Sequence, residues 1–324
     1  MKSLYWLIGL VAVLLVISTV TCVPDNGIRP YLLWADRSHI RSLQIDTLLE
    51  QIVFGNMSNV IAIDFDYHDG YLFWTDVISN QLFRKIVNGP AVDEMVIVSD
   101  IKTPEGIAVD WLYNHVYWVN SAADQIEVAT YDGKMRRILV TEGLDAPRAI
   151  VVDPLHGWMF WTDWGKKPMI SRCGLNGKHQ SVIVDEGLAW PNGLTLDYVD
   201  QRLYWIDAKF DAIKSVDTNG GSGYTVLHDT QSISHPFAIT LFEDNLYWTD
   251  WGTNSINKVN KLRGDGFKRV AVSPLNPMGI RVYHENVQKN GKLPQKDLLI
   301  ISRPSRRASE LMSWHSVRRL SVVS

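Results

Sequence analysis

Short apolar runs alternate with polar turns along this chain in a phrase that keeps returning. One full copy is Pro147-Arg148-Ala149-Ile150-Val151-Val152-Asp153, then a turn, then Phe160-Trp161-Thr162-Asp163-Trp164-Gly165. Its second half recurs as Leu33-Trp34-Ala35-Asp36, Phe73-Trp74-Thr75-Asp76, Tyr117-Trp118-Val119-Asn120, Tyr204-Trp205-Ile206-Asp207 and Tyr247-Trp248-Thr249-Asp250. Consecutive tryptophans of these phrases lie 40, 44, 43, 44 and 43 residues apart. A period of about 40–45 residues, written in short strands, belongs to propeller blades of four strands each. The pattern predicts an all-β protein, a six-bladed β-propeller with four-stranded antiparallel blades.

Each aromatic strand is preceded by a first strand: Val60 to Asp64, Gly106 to Asp110, Ala149 to Asp153, Gly193 to Asp197 and Ala238 to Leu241. These runs are apolar at successive positions, as expected of strands covered on both faces. Successive side chains point to opposite faces, so in a Tyr-Trp or Phe-Trp pair one ring packs forward and the other back. Hairpin turns follow at Asn88-Gly89, Asp132-Gly133, Asn176-Gly177, Asn219-Gly220 and Asp265-Gly266, which lie 14, 14, 15, 14 and 17 residues after their tryptophans. Such dipeptides suit positive φ; the first blade lacks one. No first strand fits ahead of Leu33-Trp34, whereas Met278-Gly279-Ile280-Arg281-Val282-Tyr283 reads as a first strand without a second. The chain ends are therefore expected to share one blade and close the ring.

Composition sharpens the picture. The chain has 324 residues, 46% apolar, with thirteen tryptophans and a net charge of −3. Residues 285–324 hold eight Lys/Arg against three Asp/Glu, which leaves the rest acidic. An acidic body argues against nucleic acid as partner. Lys2, an apolar run from Leu4 to about Ile17 and the small residues leading to Cys22 read as a secretory signal peptide over 1–22. No later stretch is long enough to anchor the chain in a membrane, so a secreted, extracellular protein entering through the endoplasmic reticulum is expected. Cleavage after Cys22 leaves Cys173 alone, read as a small buried hydrophobe. The expected organisation is signal peptide 1–22, propeller 29–284, and a basic, Ser/Arg-rich, disordered tail over 285–324.

The repeated aromatic-Trp-Thr-Asp phrases resemble the YWTD (class B repeat) propellers of the LDL receptor and LDL receptor-related family, over about Arg29 to His284. Trp190-Pro191-Asn192-Gly193-Leu194-Thr195-Leu196-Asp197 and His235-Pro236-Phe237-Ala238-Ile239 carry much of that resemblance. It implies an extracellular, non-enzymatic protein-binding module, of lipoprotein/vitellogenin-type endocytic or Wnt-type receptor systems, full-length relatives standing at the plasma membrane. It also implies a dedicated chaperone in the secretory pathway. Family propellers bind protein ligands on the face where loops enter first strands, in some members through an Asn-containing peptide loop. The matching positions are Glu105, Arg148, Trp190, Asn192, His235 and Met278, with Trp164 and Trp251 on neighbouring loops. An Asn amide pairs with a ligand amide in both directions, and tryptophan offers rigid apolar contact area. Against this, Asn192 between Pro191 and Gly193 also reads as a turn residue, and Ser79-Asn80 and Ser121-Ala122 make the rim less acidic than in the Wnt co-receptor branch. No cysteine-rich module accompanies the propeller here, so the resemblance is to one propeller in soluble or truncated form.

Smaller signals add little. Asn56-Met57-Ser58 is an N-glycosylation acceptor on an expected loop. Arg263-Gly264-Asp265 spells an integrin tripeptide, but turn chemistry accounts for it. The competing reading is a secreted six-bladed hydrolase or lactonase with an axial divalent metal. Its histidines would cluster; here they are scattered singly, and the aspartates recur with the repeat and read as structural. No catalytic residue, metal ligand or cofactor is therefore expected.

Overall fold

The computed structural model describes residues 29–89 and 93–289; the predicted leader and the tail from 290 onward lie outside the described residues. Blade 1 opens with β1 (Tyr31–Ala35), β2 (Ile40–Gln44) and β3 (Glu50–Phe54). Blade 2 is β4 (Val60–Asp66), β5 (Tyr71–Asp76), β6 (Gln81–Ile86) and β7 (Met95–Val98). Blade 3 is β8 (Pro104–Asp110), β9 (His115–Asn120), β10 (Gln125–Thr130) and β11 (Arg137–Val140). Blade 4 is β12 (Pro147–Asp153), β13 (Trp158–Asp163), β14 (Met169–Gly174) and β15 (Ser181–Val184). Blade 5 is β16 (Pro191–Asp197), β17 (Arg202–Asp207), β18 (Ala212–Asp217) and β19 (Tyr224–His228). Blade 6 is β20 (Pro236–Phe242), β21 (Asn245–Asp250), β22 (Ser255–Asn260) and β23 (Lys268–Val272). Finally β24 (Ile280–Tyr283) joins blade 1, giving six four-stranded sheets. The closing pair is antiparallel, Tyr31 opposite Tyr283 and Trp34 opposite Ile280. The first strands β4, β8, β12, β16, β20 and β24 neighbour one another around the axis.

The doubled aromatics bind blade to blade as the alternation predicts. Trp118 shares a buried cluster with Phe73 and Leu82 of blade 2, whereas Tyr117 shares one with Trp161 and Val152 of blade 4. The other interfaces repeat this: Leu33 with Trp74, Phe160 with Trp205, Tyr204 with Trp248, and Tyr247 with Trp34. The Thr-Asp ends hold the loops. Asp163 accepts backbone N–H groups from Asp145, Ala146 and Gly165, and Asp76 accepts them from Asn59, Ile78 and Ser79. One carboxylate thus ties the loop entering its blade to the loop leaving its second strand. In blade 3, Asn120 supplies Oδ1 to Lys102 N–H and gives its amide hydrogen to the buried Glu127.

At the opposite face the third-to-fourth-strand turns press on the preceding blade. Gly220 (φ +92) lies so close to blade 4 that a Cβ would stand 2.7 Å from Ile183 O. Gly133, Gly177 and Gly264 make the same approach to Ile97, Leu139 and Val226. In Arg263-Gly264-Asp265 the Arg263 Nε donates to Asp265 Oδ2 (2.8 Å), so the tripeptide's charges neutralise each other inside the turn. Blade 1 makes its hairpin with Leu48 at φ 59, an aliphatic residue in left-handed backbone, so no Asn-Gly or Asp-Gly marks it.

Two boundaries differ from the sequence reading. The first strand of blade 2 runs to Asp66, which pairs Tyr71 as Asp110 pairs His115; Asp64 instead stands at the register of Ala108. The described backbone also continues past His284, because a short 3-10 turn (Glu285–Val287) delivers Gln288 into the fold. There Gln288 Nε2 donates to Phe65 O and its Oε1 accepts Tyr67 N–H, while Trp111 Nε1 donates to Lys289 O (3.1 Å).

Two predictions follow from this packing. Gly157 also has positive φ (+76), yet nothing lies within 4 Å of a Cβ there. Gly157→Ala should cost only the backbone penalty of about 1 kcal/mol, and Gly220→Ala about 2–4 kcal/mol, read from urea midpoints. Equal costs would show that the turn does not press on blade 4.

Asp110 accepts N–H groups from Leu112 and Tyr113, but burial and the neighbouring Asp66 charge push its carboxyl up to about 7. The folded protein holds a proton that the unfolded chain releases near 3.8, so this group's contribution to stability falls as pH rises from about 4 to 7. Asp110→Asn should flatten that slope and add on the order of 1–4 kcal/mol at pH 7.5, by thermal unfolding across pH. An unchanged slope would contradict the buried neutral carboxyl.

Candidate functional site

The inner strands start with a bulge at the face that carries the entering loops, here called the loop face. In blade 4, Pro147 pairs Asp163 and Ile150 pairs Trp161, so Arg148 and Ala149 together oppose Thr162. The Thr162 hydroxyl accepts the Ala149 N–H (3.0 Å) and donates to Asn192 O of blade 5 (2.9 Å). Thr75 and Thr249 likewise accept the bulge N–H groups of Ala62 and Ala238. A bulge re-aims the residue it inserts. It presents one residue per blade at the axis in blades 2 to 6, namely Ile61, Glu105, Arg148, Asn192 and Phe237; Met278 holds the equivalent register in blade 1.

The next residue in each blade alternates between alanine and glycine: Ala62, Gly106, Ala149, Gly193, Ala238 and Gly279. Each glycine faces the alanine of the following blade. A Cβ on Gly193 would lie 2.7 Å from Ala238 Cα, and one on Gly279 3.0 Å from Ala62 Cα. This close ring leaves a cavity of only about 50 Å³ at the loop-face end of the axis. The axis narrows there, and Ile61, Glu105, Arg148, Asn192 and Phe237 line its loop-face end, while Met278 at the sixth position is buried.

Aromatic rings and cations make that surface a continuous strip. Trp190 meets Trp164 edge-on (6.5 Å, 77°). The Arg148 guanidinium sits 4.4 Å above the Trp164 ring and 5.6 Å from Phe237. Phe237 stacks on Trp251 (4.7 Å, 15°), which also carries His235 and Arg37. Arg148 is held from the other side by Glu105 at 2.7 Å, and Glu105 accepts the Ser121 hydroxyl (3.2 Å). Guanidinium between two rings, paired with a half-buried carboxylate, fixes the middle of the strip. Trp190 is 40% exposed, and Lys209 stands 5.2 Å over its ring.

The structure therefore brings together Glu105, Arg148, Trp164, Trp190, His235 and Trp251. Asn192 lies among them but is only 6% exposed; its Nδ2 donates to Pro236 O (3.2 Å), and its Oδ1 has no partner among the described residues. Met278 holds the expected register but is not presented to a ligand: at 1% exposure it packs in the cluster of Ile61 and Trp74, and its backbone N–H bonds Ala35 O. Sequence reasoning missed Phe237 and Arg37. Phe237 was legible, standing one residue after Pro236 as Asn192 follows Pro191 and Arg148 follows Pro147. Arg37 carried no signal, since its place over Trp251 comes from ring closure. Asn56 is exposed on the loop between β3 and β4. Among the described residues no three His, Cys, Asp or Glu side chains group to hold a metal.

Fold and face together define a class: a closed six-bladed propeller whose repeated Asp residues stiffen a loop face bearing an aromatic strip. Residues 70–111, 114–154, 157–198 and 201–243 match the family described as low-density lipoprotein receptor repeat class B, and the chain belongs to that family. It is 42% identical over 262 residues to low-density lipoprotein receptor-related protein 5 of Mus musculus, covering 80% of this chain and 16% of that protein. The chain thus spans well under two thirds of that relative. Among solved structures, a chain of a nidogen/laminin complex matches with TM-score 0.72 at 30% identity, over 78% of this chain and 98% of the other. TolB from Acinetobacter baumannii matches with TM-score 0.65 at 8% identity, over 81% and 68%, and shares the fold alone.

The orphaned Asn192 carbonyl yields a prediction. Asn192→Leu loses one hydrogen bond, worth about 1 kcal/mol, but also removes a buried acceptor that nothing satisfies. Its unfolding midpoint should correspond to a loss below about 1.5 kcal/mol. A loss of about 3 kcal/mol or more would make Asn192 a structural turn residue.

Proposed function

We propose that this chain is an extracellular, non-enzymatic, receptor-type module that binds a protein ligand on its loop face. The observation that carries this reading is the strip from Trp190 through Arg148 to Trp251, beside an Asn192 carbonyl with no partner. Rigid aromatics around a pinned guanidinium are the side chains in which binding energy concentrates at protein interfaces. A ligand segment such as an Asn-bearing loop would lay an apolar neighbour on the rings, with Asn192 buried beside the contact. Family membership supports the same reading, and the solved relative comes from a complex between two proteins. Glu105, Arg148, Trp164, Trp190, Asn192, His235 and Trp251, joined by Phe237 and Arg37, are the proposed contacts; Met278, being buried, is not among them.

The reading extends to a secreted, soluble form that passes through the endoplasmic reticulum with a propeller chaperone. It includes glycosylation at the exposed Asn56 and service in an endocytic or Wnt-type receptor system. No helix among the described residues is long and apolar enough to cross a membrane.

The test is affinity capture from extracellular fluid with the full chain and with a Trp190→Ala/Asn192→Leu double variant, partners being identified by mass spectrometry. At least one partner should be captured by the native chain and lost, about 100-fold or more in affinity, by the folded double variant. Partners retained unchanged would reject the loop face. Elemental analysis addresses the competing enzyme: one tightly held divalent ion per chain would favour the hydrolase reading over this one.

A further inference from the structure

The axis narrows at its loop-face end. On the other side, where the inner strands end, a cavity of about 600 Å³ opens, lined among others by Trp111, Val151, Leu196, Tyr198, Leu241 and Phe242. Its closed end is a second ring of register-equivalent residues: Asp64, Ala108, Val151, Thr195, Thr240 and Arg281. The polar members are contiguous, in blades 5, 6, 1 and 2, and the apolar pair faces them from blades 3 and 4. Thr195 and Thr240 are 8% and 4% exposed, line the cavity, and have hydroxyls with no hydrogen-bond partner among the described residues.

Arg281 completes the donor set. Its Nε donates to Asp64 Oδ1 (3.1 Å), its Nη1 to Ile280 O (3.0 Å) and its Nη2 to Ile107 O (3.5 Å). A guanidinium has five N–H groups, so two remain. At the closed end charge is balanced, because Arg281 pairs with Asp64; the mouth is acidic, with Lys261 shared by Asp197 and Asp200 and with Glu243 and Asp244 beside them. A charged head entering this end would lose hydration and find no free counter-ion. A neutral acceptor gains two hydroxyls and a guanidinium. Volume, apolar walls and few convergent polar groups are those of a small-molecule site.

We infer that this cavity is a second binding site, for a small neutral amphiphile with an apolar body and one carbonyl-type head, such as a carboxamide. The head meets Thr195, Thr240 and Arg281; the body lies along Val151, Leu196 and Leu241. The site lies at the other end of the axis from the loop-face ligand.

Saturation-transfer NMR on the full chain tests it, with cyclohexanecarboxamide as probe and cyclohexanecarboxylate and cyclohexylammonium as charged counterparts. The amide should bind with Kd on the order of 1 mM, and both charged probes at least about 10-fold more weakly. Thr195→Val/Thr240→Val should weaken the amide about 10-fold, Thr195→Ser/Thr240→Ser should keep it within about 2-fold, and Trp190→Ala/Asn192→Leu should leave it unchanged. If the valine pair does not fold, Val151→Phe, which fills the apolar arc, should abolish the signal in its place. No transfer from the amide, equal binding by the valine pair, or preference for either charged probe would overturn the site.

Discussion

Everything in this molecule rests on apolar contact across the gap between adjacent sheets. Each second strand carries neighbouring large side chains that the pleat sends in opposite directions, as Tyr117 goes to blade 4 and Trp118 to blade 2. Burying a ring of tryptophan size removes about 150–250 Å² from water, worth roughly 4–6 kcal/mol at 25 cal/mol per Å². A blade on its own would expose that area on both faces, so its strands gain their stabilisation from neighbours rather than from their own hydrogen bonds. The same requirement makes closure obligatory. Without β24, blade 1 lacks its inner strand, and the Leu33–Trp74 and Tyr247–Trp34 clusters lose a wall.

Because this constraint repeats with the chain period, it was legible without coordinates. The spacing of the aromatic-Trp phrases named the blades, and the pairing of residues 280–283 with residues 31–34 followed from a first strand missing at one end and left over at the other. Legibility failed where a side chain's setting depends on a partner from another blade. Met278 shares the register of Arg148 yet lies under neighbouring chains. Asp64 looked like the aspartate that ends each first strand, although the residue eight before Trp74 is Asp66, as Asp110 is eight before Trp118. Asp66 caps its turn by accepting His68 and Asp69 N–H groups, which freed Asp64 to face Arg281. Leu48 in left-handed backbone hid the first hairpin for a simpler reason: an aliphatic residue stands where Asn, Asp or Gly marks the other turns.

The loop face can expose so much aromatic surface because its backbone is satisfied from within. Asp76, Asp163, Asp207 and Asp250 each accept several N–H groups from the two loops that flank them. Neighbouring loops add side-chain bonds of their own, Ser121 Oγ to Pro147 O and Trp251 Nε1 to Pro277 O. Ordering them is therefore complete before any partner arrives, and the entropic cost of association falls on the partner. Arg148 illustrates the same economy at side-chain level: Glu105, Trp164 and Phe237 already fix its guanidinium.

Sixfold repetition and specific recognition make opposite demands, and the inner strands separate them by a single residue. The narrow position tolerates only alanine or glycine, since each glycine lies against the backbone of the next blade and a larger side chain would part the ring. One residue earlier, the bulge turns the side chain out of that contact, and the six equivalent positions hold Ile, Glu, Arg, Asn, Phe and Met. Two residues after the narrow position, the ring that ends in Arg281 and Asp64 is again six-membered and again mixed. Uniformity is thus confined to the plane where backbones touch, and chemical difference to the planes above and below it.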